Sequence, residues 1–135
     1  YESISPADVG RIGELYAPEA LFKDPFNEVR GVPAIARIFE HMFVQVDGPR
    51  FTVRERVVQG QAAFLVWDFD FAFRRPLPPV PVRIRGCSHL RLDGEGLVAF
   101  HRDYWDAAEE LYEKLPAIGV LMRWMRRRGA VATPR

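Results

Sequence analysis

From Phe51 onward, hydrophobic and polar residues alternate with a period of two; before Val46, apolar residues recur every three or four positions. The first pattern belongs to strands with one buried face, the second to helices with an apolar stripe. Ser5-Pro6-Ala7-Asp8 reads as a helix start, with Ser as N-cap, Pro in the first turn and an acid near the helix N-terminus. Val9, Ile12, Leu15 and Tyr16 continue at helical spacing until Ala17-Pro18 stops them. Ala20, Phe22 and Asp24 alternate with Leu21 and Lys23, which predicts a short strand ending at Asp24-Pro25.

Gly31-Val32-Pro33 opens the clearest helix. Its stripe is Ile35, Ile38, Phe39, Met42, Phe43 and Val46, and Asp47-Gly48-Pro49 ends it. Strands follow at 51–58, 62–73 and 82–92, and the proline-rich stretch 75–81 between the last two must be a loop or an edge. A tight Asp93-Gly94 turn leads into a further strand, which runs directly into a helix from Asp106 to Leu115. A second helical stretch, Ala117 to Arg128, precedes a loose tail. The order predicts one α+β domain over 1–135: a curved antiparallel sheet packed on helices, with a pocket on the concave face.

Composition narrows the function. The 135 residues are 48% hydrophobic, enough for a real core, and the formal charge of +1 argues against nucleic acid as a partner. No apolar run approaches the roughly 18–20 residues of a spanning helix, so no membrane is expected. The Arg123, Arg126, Arg127 and Arg128 run is read as a solvated helix face. The single Cys87 excludes an internal disulfide and fits a reducing, cytoplasmic setting; it is read as a small buried apolar residue. Three scattered His without CxxC or HExxH spacing predict no metal, and nothing calls for a cofactor.

Strand parity then sorts the polar residues. His101, Asp103 and Trp105 share one face of their segment, Arg102 and Tyr104 the other. In 62–73, Asp68 and Asp70 share one face while Trp67, Phe69, Phe71 and Phe73 share the opposite one. Parity alone leaves two arrangements open. The acids face solvent over an aromatic core, or they face a pocket and the aromatics form the outer surface.

Three segments resemble the nuclear transport factor 2-like superfamily: LYAPEALFKDPFNEVRGVPAIARIF at 15–39, QAAFLVWDFDF at 61–71 and SHLRLDGEGLVAFHRDYWD at 88–106. That superfamily has a cone-shaped, cystatin-like α+β fold and includes ketosteroid isomerases, limonene epoxide hydrolases and SnoaL-type polyketide cyclases. The resemblance implies Asp24, in Lys23-Asp24-Pro25, as general base. It puts Ser88 where the isomerases carry an oxyanion-binding Asp, and Tyr1 near their oxyanion Tyr. The ending Arg102-Asp103-Tyr104-Trp105-Asp106 implies that Asp103 activates water or a substrate proton, with His101 beside it. Asp68-x-Asp70 stands where the hydrolases have Arg-x-Asp, and Phe22-x-Asp24 where they have Tyr-x-Asn.

The resemblance therefore selects the arrangement with Asp68 and Asp70 toward the cavity. The expected site joins Asp24, Asp70, His101 and Asp103 as catalytic groups. Ser88, Asp68, Phe22, Phe26, Phe39 and Trp105 form the substrate-binding wall. The four aromatics on the outer face imply a homodimer. The expected function is binding of a small hydrophobic molecule, with isomerase- or cyclase-type general-base chemistry on a carbonyl compound. The alternative is a non-catalytic binding or dimerisation module with a vestigial pocket.

Overall fold

A computed structural model describes residues 5–74, 79–107 and 110. A 3₁₀ helix, Pro6–Glu14, starts at Ser5, whose backbone N–H and hydroxyl both donate to the Asp8 carboxylate, at 2.8 and 2.7 Å. The expected helix is thus present but wound tighter, and it ends before Tyr16. Strand β1 is Tyr16–Lys23 and β2 is Glu28–Arg30. Helix α1 is Val32–Gln45, followed by β3 (Val46–Gln59), β4 (Ala62–Phe73), β5 (Pro81–Leu92) and β6 (Val98–Tyr104).

The six strands form one curved open sheet in the order β2-β1-β6-β5-β4-β3, antiparallel except for the β1–β6 pair. This is the expected α+β architecture. Ala17-Pro18 does not end a helix; it lies in β1, where the register against β6 slips between Tyr16 and Leu21. An irregular stretch tolerates a proline that a regular ladder would not. The β5–β6 loop is also longer than a two-residue turn. Asp93 accepts from the backbone N–H of Glu95 and Leu97, at 2.9 and 3.0 Å, and it is Gly96, at φ +81°, that occupies the left-handed region. The helices expected at 106–115 and 117–128 lie outside the described residues, except for Asp106, Ala107 and Glu110.

Two buried clusters hold the layers together. Val9, Ile12, Tyr16, Ala20 and Phe22 pack with Ile35, Phe39 and Phe43 of α1. Trp67, Phe69, Phe71, Val82 and Ile84 form the second cluster with Val46, and Met42, Phe26, Phe51 and Trp105 pack against it.

The second cluster settles the parity of β4 against the expectation. The aromatics face the helix layer, and Asp68 and Asp70 face out. Asp68 accepts from Arg54 Nε at 2.8 Å, and Asp70 accepts from Arg83 Nε at 2.6 Å. Burying a large apolar side chain contributes about 1.5–3 kcal/mol. Turning Trp67, Phe69 and Phe71 outward would forfeit that three times over and place two carboxylates in an apolar layer. Asp70 is therefore removed from the catalytic set and Asp68 from the ligand wall. The aromatic outer face is likewise corrected: Trp67, Phe69 and Phe71 are interior, 2–8% exposed. Cys87 shares the outer face with Asp68 and is half-buried rather than a core residue.

Candidate active site

β6 carries His101 and Asp103 on one face, as the parity predicted, and that face is the inward one. Register does the rest. Ser88 of β5 lies directly opposite Asp103, Leu65 of β4 opposite Ser88, and Phe22 of β1 opposite His101. A continuous chain of polar contacts results. Tyr16 Oη is 2.6 Å from His101 Nδ1, and His101 Nε2 is 2.6 Å from Asp103 Oδ1. The same Oδ1 accepts from the Ser88 hydroxyl, and Ser88 Oγ accepts from Trp67 Nε1–H at 2.8 Å. Ser88, His101, Trp67 and Tyr16 are buried, at 0, 1, 2 and 6% exposure. The Asp103 side chain keeps 16%.

Such a chain is held firmly because each lost contact would strand a buried polar group, at about 1–3 kcal/mol each. Packing reinforces it. Phe22 stands edge-on to His101 at 4.8 Å and to Phe39 at 6.1 Å. Burial, and secondly the charge of Asp103, pushes the Tyr16 phenol above its ordinary value. Tyr16 is thus a proton carrier that resists becoming an anion.

A hollow of about 440 Å³ lies between the 3₁₀ helix, α1 and the concave sheet face. Its apolar wall includes Ile12, Phe39, Phe51, Leu65 and Leu90; Asp8, Arg11 and Glu14 line it from the 3₁₀ helix. Tyr16 is the member of the polar chain that reaches this hollow. His101 and Asp103 stand behind it. Arg11 and Glu14 pair with each other at 3.0 Å.

Asp24 ends β1 on the other side of the site. Its Oδ1 accepts from the backbone N–H of Phe26 and Asn27, at 2.7 and 2.6 Å, which is an Asx turn. Burial raises its pKa above the ordinary carboxylate value; the bonds from Asn27 and Phe26 oppose this, and the charge of Asp103 adds to it. Phe26 then packs edge-on against Trp105 at 5.4 Å. Asp24, His101, Asp103, Ser88, Phe22, Phe26, Phe39 and Trp105 thus lie on the inner side of the sheet; Asp68 and Asp70 do not.

The burial of Asp24 has a measurable consequence. A folded-state pKa raised above the unfolded 3.8 means that ionisation opposes folding. The neutral form's advantage is complete below the unfolded value and disappears as pH rises through the folded one. Asp24→Asn keeps an acceptor for the turn and removes the charge. Its stability relative to the parent is expected to grow as pH rises from about 4 toward neutrality, in urea titrations. A relative stability that falls with pH would show that the turn bonds, not burial, dominate.

Two residues of the polar chain escaped the sequence reading. The spacing of apolar residues puts Tyr16 on a helical stripe, and the resemblance puts Trp67 on the outer face. The Tyr16-to-Phe22 segment would have revealed the first only if read as strand through Pro18. Among the described residues, no group of three or more His, Cys, Asp or Glu lies close enough to hold a metal ion. No helix among them is long and apolar enough to cross a membrane.

Solved structures share this arrangement of elements. A hypothetical protein with a ketosteroid isomerase-like fold from Catenulispora acidiphila, in complex with trimethylamine, superposes with a TM-score of 0.70 at 14% identity, covering 79% of this chain and 82% of that one. A protein described as a SnoaL-like polyketide cyclase from Shewanella putrefaciens gives 0.70 at 19% identity, with 82% and 77% covered. An M. tuberculosis LEH-like epoxide hydrolase gives 0.65 at 18% identity, with 87% and 84% covered. These identities speak for the fold. No curated protein is significantly similar in sequence. The SnoaL-like domain profile matches residues 1–101, a span that holds β1 through β5, the hollow, Tyr16, Ser88 and His101, and the chain accordingly belongs to the SnoaL-like domain family.

Proposed function

We propose that the chain binds a small, largely apolar carbonyl compound in the hollow and moves a proton on it, in the manner of an isomerase or cyclase. The Tyr16–His101–Asp103 chain is the observation that carries this reading. It connects the hydroxyl of Tyr16, a residue that lines the hollow, to a carboxylate through hydrogen-bond distances of 2.6 Å. Such a relay can deliver or withdraw a proton at a ligand oxygen. Asp24 and Asp103 are the candidates for general base. Neighbours in fold that are described as polyketide cyclases and an epoxide hydrolase agree with acid–base chemistry. A cytoplasmic setting, suggested by the lone Cys87, belongs to the same proposal.

The test is proton exchange at carbon. In deuterated buffer, the chain is expected to speed loss of the α-protons of 2-tetralone at least tenfold over buffer alone, and Asp103→Asn to remove most of that gain. Saturable binding without exchange would select a second reading, a non-catalytic ligand binder. The position of Asp103 behind Tyr16 rather than in the hollow favours that reading. No binding at all would end both.

A homodimer across the outer sheet face is also proposed, on a different patch from the one expected. Val57, Phe64 and Val66 are 57, 41 and 37% exposed there. Val57 pairs in register with Phe64, His89 stacks on Phe64 at 4.4 Å, and Phe100 meets His89 edge-on at 5.3 Å. A contiguous apolar strip of this kind usually meets a partner. Sedimentation should give dimers that Phe64→Glu converts to monomers; a parent chain that is monomeric at micromolar concentration would remove the proposal.

A further inference from the structure

His89 stands at the centre of the outer sheet face, and the charges around it have one sign. Register places Phe64 of β4 on one side of it and Arg102 of β6 on the other. Two residues away along β5, on the same face, lie Cys87 and Arg91. Phe64 stacks flat on the imidazole at 4.4 Å, and Phe100 of β6 meets it edge-on at 5.3 Å. β4 adds only Ala62 and Val66 at the diagonal positions, and β6 adds the phenol of Tyr104. Among the described residues, the charged groups bordering His89 on this face are therefore Arg91 and Arg102, without a carboxylate. An imidazolium would be a third cation between apolar rings. Burial first, and the charge of Arg91 second, hold the His89 pKa below its ordinary value.

The same face carries unmatched charges of opposite sign to either side of this centre. Toward β1, the Arg102 guanidinium lies over the Tyr104 ring at 4.5 Å. Toward the β3 edge, Glu55 is exposed beside Val66. Among the described residues, Glu55, Arg91 and Arg102 make no ion pair, whereas Asp68 and Asp70 on that face are matched by Arg54 and Arg83. A second copy, turned over by a two-fold axis running along the strands between β4 and β5, answers this pattern. It lays β5 on the β4 of the other copy and β6 on its β3. His89 then meets the Phe64 of the other copy, and Arg102 comes beside its Glu55, so that apolar meets apolar and cation meets carboxylate.

We propose that the outer sheet face joins two copies of this chain through an interface that acid opens, with His89 as the group that releases it. This rests on the dimer reading above and adds its regulation. Two imidazoles, one from each copy, leave water together, beside arginines that already supply the cations. The ring face of Phe64 returns only part of the hydration that an imidazolium would lose there. A proton held more weakly in the dimer than in the free chain drives dissociation. Association is accordingly unaffected well above the His89 pKa of the free chain and weakens as pH falls through it.

Sedimentation of the full chain at constant ionic strength tests this, with far-UV circular dichroism to follow folding. The dimer dissociation constant is expected to be at least about tenfold larger near pH 5.5 than near pH 8, because each dimer carries two such imidazoles. His89→Gln keeps a flat polar group that cannot gain a charge, so its constant should stay within about twofold across that range. His89→Lys carries the extra cation throughout and should dissociate near pH 8 about as readily as the parent does near pH 5.5. Equal constants for the parent at the two pH values would overturn the inference and leave the dimer standing. A tenfold pH effect that survives in His89→Gln would overturn it as well, by assigning the release to another group. A parent that is monomeric at micromolar concentration near pH 8 removes the dimer reading and this inference with it. Should either variant fail to fold, proton NMR of the parent decides: the His89 ring is expected to titrate at lower pH as chain concentration rises, and a titration independent of concentration would refute the proposal.

Discussion

Gly86→Ala is expected to cost about 2–4 kcal/mol of stability in a urea titration, an unusually large penalty for one added methyl group. A Cβ at this position would lie 2.5, 2.7 and 2.9 Å from three atoms of the Trp67 six-membered ring, closer than real contacts allow. Trp67 and Gly86 are direct cross-strand partners, so the indole lies across the bare backbone of β5 and its Nε1 reaches Ser88 two residues further on. Trp67 sits 2% exposed in the core cluster, with Phe51 edge-on to it at 5.4 Å. The methyl group therefore forces either an overpacked core or a swing of the ring. A swing also strands the indole N–H. A second variant separates this cause from a generic effect of glycine in a strand. Trp67→Phe removes the clashing outer ring, so Gly86→Ala should cost at least about 1 kcal/mol less in that background than in the parent. Full additivity of the two changes would mean that the glycine acts through backbone freedom and not through the room it leaves.

Much of this arrangement is legible in the chain. The stripe of Ile35, Phe39 and Phe43 specifies α1 because an apolar ridge at that spacing has only one face to bury. The bounds of β4 follow from an apolar run with alternation over its second half between two turn signals, and the shared face of His101 and Asp103 from the same period of two. What parity cannot supply is the side on which the core lies. Alternation in β4 separates Asp68 and Asp70 from the aromatics without a sign. Comparing burial costs would have chosen the aromatics as interior, and the resemblance argued the other way. Tyr16 was hidden for a different reason. The register slip in β1 breaks the period, so counting back from Phe22 through Pro18 does not yield a clean face. The Trp67–Ser88 bond depends on the β4–β5 register, which no local pattern states. Gly86 did leave a trace, since a glycine inside a strand often marks a close approach of another group.

Asp103→Ala and Asp103→Asn should part company sharply. Asp103 Oδ1 is the common acceptor for the Ser88 hydroxyl and His101 Nε2, both fully buried donors. Truncation to Ala leaves the two without that partner, and at about 1–3 kcal/mol for each lost bond the expected loss is about 2–6 kcal/mol. Asparagine retains a carbonyl oxygen at the same place. It can accept from both donors, so its expected loss is below about 1.5 kcal/mol, set by the weaker neutral bonds. The chemistry should follow the opposite logic. Neither variant has a carboxylate to hold the far end of the relay, so both should lose proton transfer at the ligand, although the Asn protein remains folded with its hollow intact. Stability by urea titration and α-proton exchange on the same samples decide the matter. Equal stability of the two variants would show that Asp103 is not the acceptor that organises Ser88 and His101. An Asn variant with undiminished exchange would leave Asp103 a structural anchor and move the base to Asp24, the other carboxylate on this side of the sheet.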